Sequence, residues 1–194
     1  MKLLEERICK EGIVLPGNVL KVDMFLNHQI DVKLIAEMGK EFYRIFSNEH
    51  ITKILTVEAS GIPIACAAAA FFDVPVVFAK KGQRKNMGPD FYTAEVFSFT
   101  KGSEYTMHVS KSYLSAADRV LIIDDFLANG AALTGLTDIL GQSGASLAGV
   151  GIAIEKVFQG GGDKFRSRGI PISSLAMIAS MDNGEIVFRR NDCY

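Results

Sequence analysis

The chain has 194 residues, of which 48% are hydrophobic and 22% charged, with a net charge of −1 at pH 7. That length is enough to bury one substantial core, and the near-neutral balance argues against a protein held mainly on nucleic-acid phosphates, which needs a basic excess or stripe. Cys9, Cys66 and Cys193 are widely spaced and odd in number, with no Cys-x-x-Cys pair or Cys/His cluster, so structural zinc is not expected and reduced cytosolic thiols are the default.

The first twelve residues, MKLLEERICKEG, carry acidic side chains where a secretory leader needs an apolar core. Leu3, Leu4 and Ile8 recur at near-helical spacing. Asn27-His28-Gln29 reads as a polar turn ahead of an Asp31 helix cap. Val32–Phe46 is an amphipathic helix, with Leu34, Ile35, Met38, Phe42 and Ile45 on one stripe. Lys53–Val57 reads as a strand, and residues 62–72 as a small-residue helix able to pack closely on a sheet. That near-apolar run is too short for a membrane span and contains Pro63, so a cytoplasmic, membrane-free protein is expected. Residues 75–79 form another strand, and residues 93–100 and 105–109 alternate like a hairpin pair.

The stretch VLIIDDFLANGAALTG, residues 120–135, carries the most information. Residues 120–123 are a continuous apolar run, as in a parallel strand covered on both faces. Asp124 and Asp125 follow at its carboxyl end, where open α/β sheets bind ligands. Ala128, Asn129, Gly130, Ala131 and Ala132 then form a small-residue loop whose amides can approach a bound group. A helix over residues 131–142 opens on that loop, and helix N-termini present unpaired N–H groups and partial positive charge. A phosphate on the amides and a sugar diol on the carboxylates would satisfy the whole arrangement. The alternative, that an aspartate merely caps a helix or turns the chain, is weaker for a pair between four aliphatics and a glycine loop. A response-regulator receiver domain fits poorly, since its acidic pair lies near the N-terminus, and Walker A and Gly-x-Gly-x-x-Gly fingerprints are absent. Residues 147–156 make a long buried strand, and residues 173–188 a helix–strand or strand-pair element. Strands alternating with helices predict an α/β fold with a mostly parallel central sheet flanked by helices, in a single domain over residues 1–194.

The acidic pair and its loop resemble the phosphoribosyl-diphosphate signature of type I phosphoribosyltransferases. Many members carry Thr where this chain has Ala128 and Ala132, so phosphate recognition here rests on backbone N–H groups, with help from Asn129. The version DDFLANG is similar to the bacterial branch of that family acting on xanthine. LKVDMFLNHQ at residues 20–29, VFSFTK at 96–101 and GVGIAIEKVF at 149–158 extend the likeness. It implies purine salvage: transfer of the 5-phosphoribosyl group to N9 of xanthine, giving xanthosine 5′-phosphate and pyrophosphate. It also implies a homodimer, and Mg²⁺ held by the donor's oxygens rather than by a protein cage. A hood from about residues 1–30 and the C-terminal stretch would cover the base.

By the same resemblance, Asp124 and Asp125 are catalytic, taking the ribose hydroxyls and facing the charge that builds on the sugar. Ala128 to Ala132 hold the 5′-phosphate; Ser60 and Lys81 hold the pyrophosphate, with a non-proline cis peptide at about Ala59-Ser60. Leu20, Asn27 and Lys156 read the xanthine, Lys156 donating to its 6-oxo group. From the residues alone, Ser60 is equally an ordinary helix entry with Pro63 in the first turn. The cationic run of Lys80, Lys81, Arg84 and Lys85 is equally a solvated surface or a lid excluding water. Lys156 has a structural pair with Glu155 as its alternative, and Phe158 is more simply core than a stacking platform. His28 and His108 have no triad or metal pattern. Two other functions remain open: the same chemistry on guanine or hypoxanthine, and a non-catalytic regulator sensing phosphoribosyl diphosphate.

Overall fold

The computed structural model of the chain describes residues 1–82, 89–98 and 102–189. α1 (Lys2–Glu11) leads into a short antiparallel hairpin, β1 (Ile13–Leu15) and β2 (Val19–Lys21), and then a π-helical turn at Asp23–Asn27. There follow α2 (Val32–Phe46), β3 (Lys53–Val57), α3 (Gly61–Phe72), β4 (Val76–Gly82), β5 (Phe91–Ser98) and β6 (Ser103–Ser110). The second half runs through β7 (Arg119–Leu127), α4 (Ala131–Ser143), β8 (Ser146–Lys156), α5 (Gly161–Arg166), β9 (Ile172–Ser180) and β10 (Val187–Phe188). Eight strands make one sheet in the order β10-β9-β8-β7-β3-β4-β6-β5. From β9 to β4 all neighbours are parallel, and antiparallel strands close both edges.

The helices cover both faces, which is why β7 and β8 are apolar without alternation. One face carries α2 and α3, with Met38, Phe42 and Phe46 of α2 buried in its core. The opposite face carries α4, whose Leu133, Leu136, Ile139 and Leu140 are buried with Met107 of β6. Asp31 caps α2 as its position implies, accepting from the amides of Lys33 and Leu34 at 3.1 Å each. The small residues of α3 allow a close approach to α2: a Cβ on Gly39 would sit 2.6 Å from the Ala67 carbonyl carbon. Among the described residues no helix is long and apolar enough to cross a membrane.

Several boundaries differ from the sequence reading. The strand of the acidic pair does not end at Ile123. Phe126 and Leu127 still pair with Ile154 and Glu155 of β8, so β7 runs through Asp124 and Asp125. β4 likewise continues past Ala79, because Lys80, Lys81 and Gly82 pair with β6. Thus part of the cationic run is strand rather than loop; its remainder, with Thr100 of the predicted hairpin and Cys193, lies outside the described residues. Residues 173–188 resolve as the strand pair β9 and β10. The β1–β2 hairpin, the π-helical turn and α5 were not foreseen.

Candidate active site

The order of the parallel strands reverses between β3 and β7. From β3 the chain passes through α3 to β4 on one side; from β7 it passes through α4 to β8 on the other. The two crossover helices lie on opposite faces, so a crevice opens at the carboxyl ends of β3 and β7, where such sheets take ligands. Two strand-to-helix turns meet there, residues 58–61 and 128–131, the second directly following the acidic pair's strand.

Asp124 is 5% exposed and Asp125 partly exposed. The Asp124 carboxyl accepts the Asp125 amide at 3.0 Å. Burial and the neighbouring carboxylate push Asp124 well above the usual carboxylate range, and Lys81 offsets this in part. Burial raises Asp125 as well, against the hydrogen bond it shares with the Asp124 side chain. The two carboxyls act as a coupled pair that binds a proton more tightly than a solvated aspartate. A cation, or hydroxyl donors, placed on the pair would release that proton. Around it stand groups that sequence patterning did not single out. The Tyr105 phenol is pushed up by burial and by Asp124, and Lys81 lies over its ring, 5.5 Å from the centroid. Thr56 is buried with no partner for its hydroxyl among the described residues. A Cβ on Gly61 would overlap that hydroxyl and lie 3.0 Å from Asp124 Oδ1, so only glycine lets α3 begin against the acidic pair.

Ser60 stands at the N-terminus of α3, and its hydroxyl makes no capping bond. The non-proline cis peptide is Glu58-Ala59, one residue earlier than expected. The Glu58 carboxylate accepts the Lys81 amide at 2.6 Å, tying this turn to β4.

The second turn is shaped by Gly130, at φ +85°, a left-handed conformation that favours glycine. Asn129 Oδ1 accepts the Ala131 amide at 3.1 Å, so the side chain expected to help a ligand is engaged within the loop. Gly130 O is taken by Thr134, through its amide and its hydroxyl, at 2.9 Å each. The first-turn amides of Ala132 and Leu133 have no intrahelical partner.

At the end of β8, Glu155 and Lys156 point to opposite faces of the strand, and they do not pair. Glu155 is 1% exposed and receives Arg166 instead, at 2.7 and 2.6 Å. The Lys156 ammonium donates to Asn18 O at 2.8 Å and lies 5.5 Å from the Phe126 ring centroid. Burial lowers its pKa from the ordinary lysine value. That contact brings the β1–β2 turn, next to buried Leu20, to the carboxyl end of β8. Asn27 ends the π-helical turn with its side chain exposed. Phe158 is not core: it is 39% exposed, because a 3-10 turn at Val157–Gln159 lifts it off the end of β8. A broad cleft elsewhere, lined by Glu41, Arg44, Asp163 and Met177 among others, shares no residue with these turns.

Known proteins resemble this chain over most of its length. A family model described as a phosphoribosyl transferase domain matches residues 21–188. The xanthine phosphoribosyltransferase of Ruminiclostridium cellulolyticum is 58% identical over 97% of this chain and 99% of its own. That of Bifidobacterium animalis subsp. lactis is 59% identical over 97% of this chain and 100% of its own. Among solved structures, APRTase from Giardia lamblia complexed with 9-deazaadenine superposes with a TM-score of 0.76 at 17% identity, covering 91% of this chain and 98% of that one. Adenine phosphoribosyltransferase from Rhodothermus marinus gives 0.70 at 19%, covering 92% and 100%. At those identities the likeness is one of fold.

Proposed function

This chain belongs to the phosphoribosyltransferase family, and from that premise we propose that it makes xanthosine 5′-phosphate in purine salvage. Xanthine and phosphoribosyl diphosphate are the substrates, and pyrophosphate is the second product. In the reaction the bond from C1′ to the diphosphate oxygen breaks and its electron pair leaves with pyrophosphate. N9 of the base forms the new bond to C1′ and loses its proton. The observation that carries the reading is the coupled Asp124–Asp125 pair beside the Gly130 turn, at the point where the sheet reverses its strand order.

Each residue has a role that its chemistry suits. The amides opening α4 receive the 5′-phosphate of the donor, with Ala128 to Ala132 leaving room for it. Asp124 and Asp125, once ionised, accept the two ribose hydroxyls. Asp125, the more exposed of the two, faces the positive charge that develops on the ring as pyrophosphate leaves. Ser60 and Lys81 hold the pyrophosphate end, near the turn that Glu58 ties to β4. Mg²⁺ would enter on the diphosphate and ribose oxygens, where it neutralises the leaving group. Lys156 donates to the 6-oxo group of the base through an N–H that the Asn18 carbonyl does not take. An ammonium has no acceptor, so adenine's amino group would leave it unpaired, and such a mismatch is costly. Leu20 packs on the base, and Asn27, free to turn inward, pairs near its 2-position. A homodimer in the cytoplasm is part of the proposal, with Lys81 serving its own or the partner's site.

An absorbance assay with phosphoribosyl diphosphate and Mg²⁺ against xanthine, guanine, hypoxanthine, adenine, uracil and orotate tests it. Preference for xanthine is expected. Preference for another 6-oxo purine would keep the chemistry and reject the base assignment, and no turnover with any base would reject both.

A further inference from the structure

α5 is only six residues long, far below the length at which a helix holds itself in water, yet it makes contact at both of its ends. At its start, the Gly161 amide donates to Ala128 O at 3.0 Å. A Cβ on Gly161 would overlap that same oxygen and lie 2.7 Å from the Gly130 amide nitrogen. Phe165, 1% exposed, sets its ring against Gly130, 2.8 Å from where a Cβ on Gly130 would stand. The 128–130 loop therefore rests on α5. At its far end α5 is moored by the buried Phe165 ring and by the Arg166 ion pair. Arg166 grips the carboxylate of buried Glu155 with both terminal nitrogens, and Ser174 donates its hydroxyl to the same carboxylate. The fit is close: a Cβ on Gly162 would overlap Glu155 Oε1.

We propose that Arg166 is a positioning residue for phosphoribosyl transfer, holding α5 through Glu155 so that the 128–132 loop keeps the shape that receives the donor's phosphate. The proposal rests on the phosphate assignment of that loop made above. Its consequence is selective. The end of β8 is held independently by sheet pairing on both sides, Glu155 to Leu127 and to Met177, and Lys156 to Ile178. Losing the Arg166 grip frees α5 and the phosphate loop while Lys156 stays in place. A forked guanidinium matters here, because an ammonium cannot hold both carboxylate oxygens in one plane.

The test compares Arg166→Met, Arg166→Lys and the double variant Glu155→Gln/Arg166→Gln with wild type. The double variant leaves no unpaired buried charge, so it reports even if Arg166→Met fails to fold. The measurements are thermal unfolding, the two Michaelis constants, and calorimetric binding of phosphoribosyl diphosphate with Mg²⁺. A misplacement of about 1 Å can cost on the order of 10²-fold, so a rise of about tenfold or more in the donor's KM and Kd is expected. KM for xanthine should stay within about twofold, and Arg166→Lys should recover only part of the loss. Lower thermal stability with both constants unchanged would make the ion pair merely structural and overturn the proposal. So would a larger rise for xanthine than for the donor. If wild type binds the donor but turns over no base, the functional reading fails, and the calorimetric comparison still decides the role of Arg166.

Discussion

Lys156 and Asn18 meet across 138 positions of sequence, the ammonium donating to the Asn18 carbonyl at 2.8 Å. This contact parks a half-buried cation at the carboxyl end of β8 against the N-terminal hairpin, with one donor engaged and others free for a ligand. Lys156→Ala should raise KM for xanthine by about 10- to 100-fold, the range of a hydrogen bond to a charged group at about 1.5–3 kcal/mol. The donor's KM should change by less than about threefold. The reverse ranking in steady-state kinetics would move Lys156 out of the base pocket. Burial also lowers the pKa of this lysine, so its charge is lost at a lower pH than that of a solvated lysine. As pH rises through the lowered value, KM for xanthine should climb in wild type and less so in Lys156→Arg, whose guanidinium keeps its charge. Ionisation of xanthine itself affects both proteins alike, so parallel profiles would refute the point.

Asp124 sets function against stability. Its carboxyl is raised by burial and by Asp125, so the folded state binds its proton more tightly than the unfolded chain does. For a raised group, stability is fully present below the unfolded value, about 3.9 for aspartate, and is lost as pH rises toward the folded value. Asp124→Asn removes that penalty and keeps an acceptor for the Asp125 amide. The variant should therefore melt higher than wild type at pH 8, with the difference vanishing near pH 3.5. A gain of about 1 kcal/mol would correspond to about 2–4 °C in a chain of this size. Turnover should fall by at least about 10²-fold, as when a charge-stabilising group is removed. A lower melting temperature at pH 8 would mean that Asp124 stabilises the fold as an ion.

The central strand, its acidic pair and the loop into α4 were legible in the sequence because their information is local. An aliphatic run, two carboxylates and a small-residue turn occupy sixteen consecutive positions at residues 120–135. The pairing of Phe126 and Leu127 with β8 was not legible, since an acidic pair ordinarily marks the end of a strand. Nor was the partner of Glu155: Lys156 adjoins it in sequence, but alternation along a strand turns the two apart, and Arg166 comes round from α5. α5 itself, GGDKFR, has two glycines and no helical stripe, so only its contacts hold it. Tyr105 and Thr56 read as ordinary strand residues; Thr56 comes near Asp124 because β3 lies beside β7, whereas Tyr105 feels Asp124 from β6, two strands further on.

Gly61 gives a packing test of the same pair. A Cβ there would overlap Thr56 Oγ1 and lie 3.0 Å from Asp124 Oδ1, and Thr56 is fully buried with little room to turn. Gly61→Ala should therefore push the start of α3 away from β7. Overpacking of this kind costs about 1–3 kcal/mol, and kcat/KM should fall by more than the unfolded fraction explains. Wild-type melting and wild-type kinetics together would show that α3 tolerates the methyl group and that its close approach does not shape the site.

Ala132 tests whether phosphate recognition rests on the backbone. Its side chain offers no hydroxyl, while its amide, in the first turn of α4, has no intrahelical partner. Gly130 is a poor place to probe this, because any larger side chain meets the Phe165 ring before it meets a ligand. Ala132→Thr instead adds one donor beside the free amides without disturbing the left-handed turn at Gly130. A net hydrogen bond of about 0.5–1.5 kcal/mol should lower the donor's KM by about 2- to 10-fold. Because the 5′-phosphate is held equally in ground and transition states, kcat should stay near its wild-type value. An unchanged or raised donor KM, in a variant that melts like wild type, would place the phosphate away from the opening of α4 and remove the loop from the donor site.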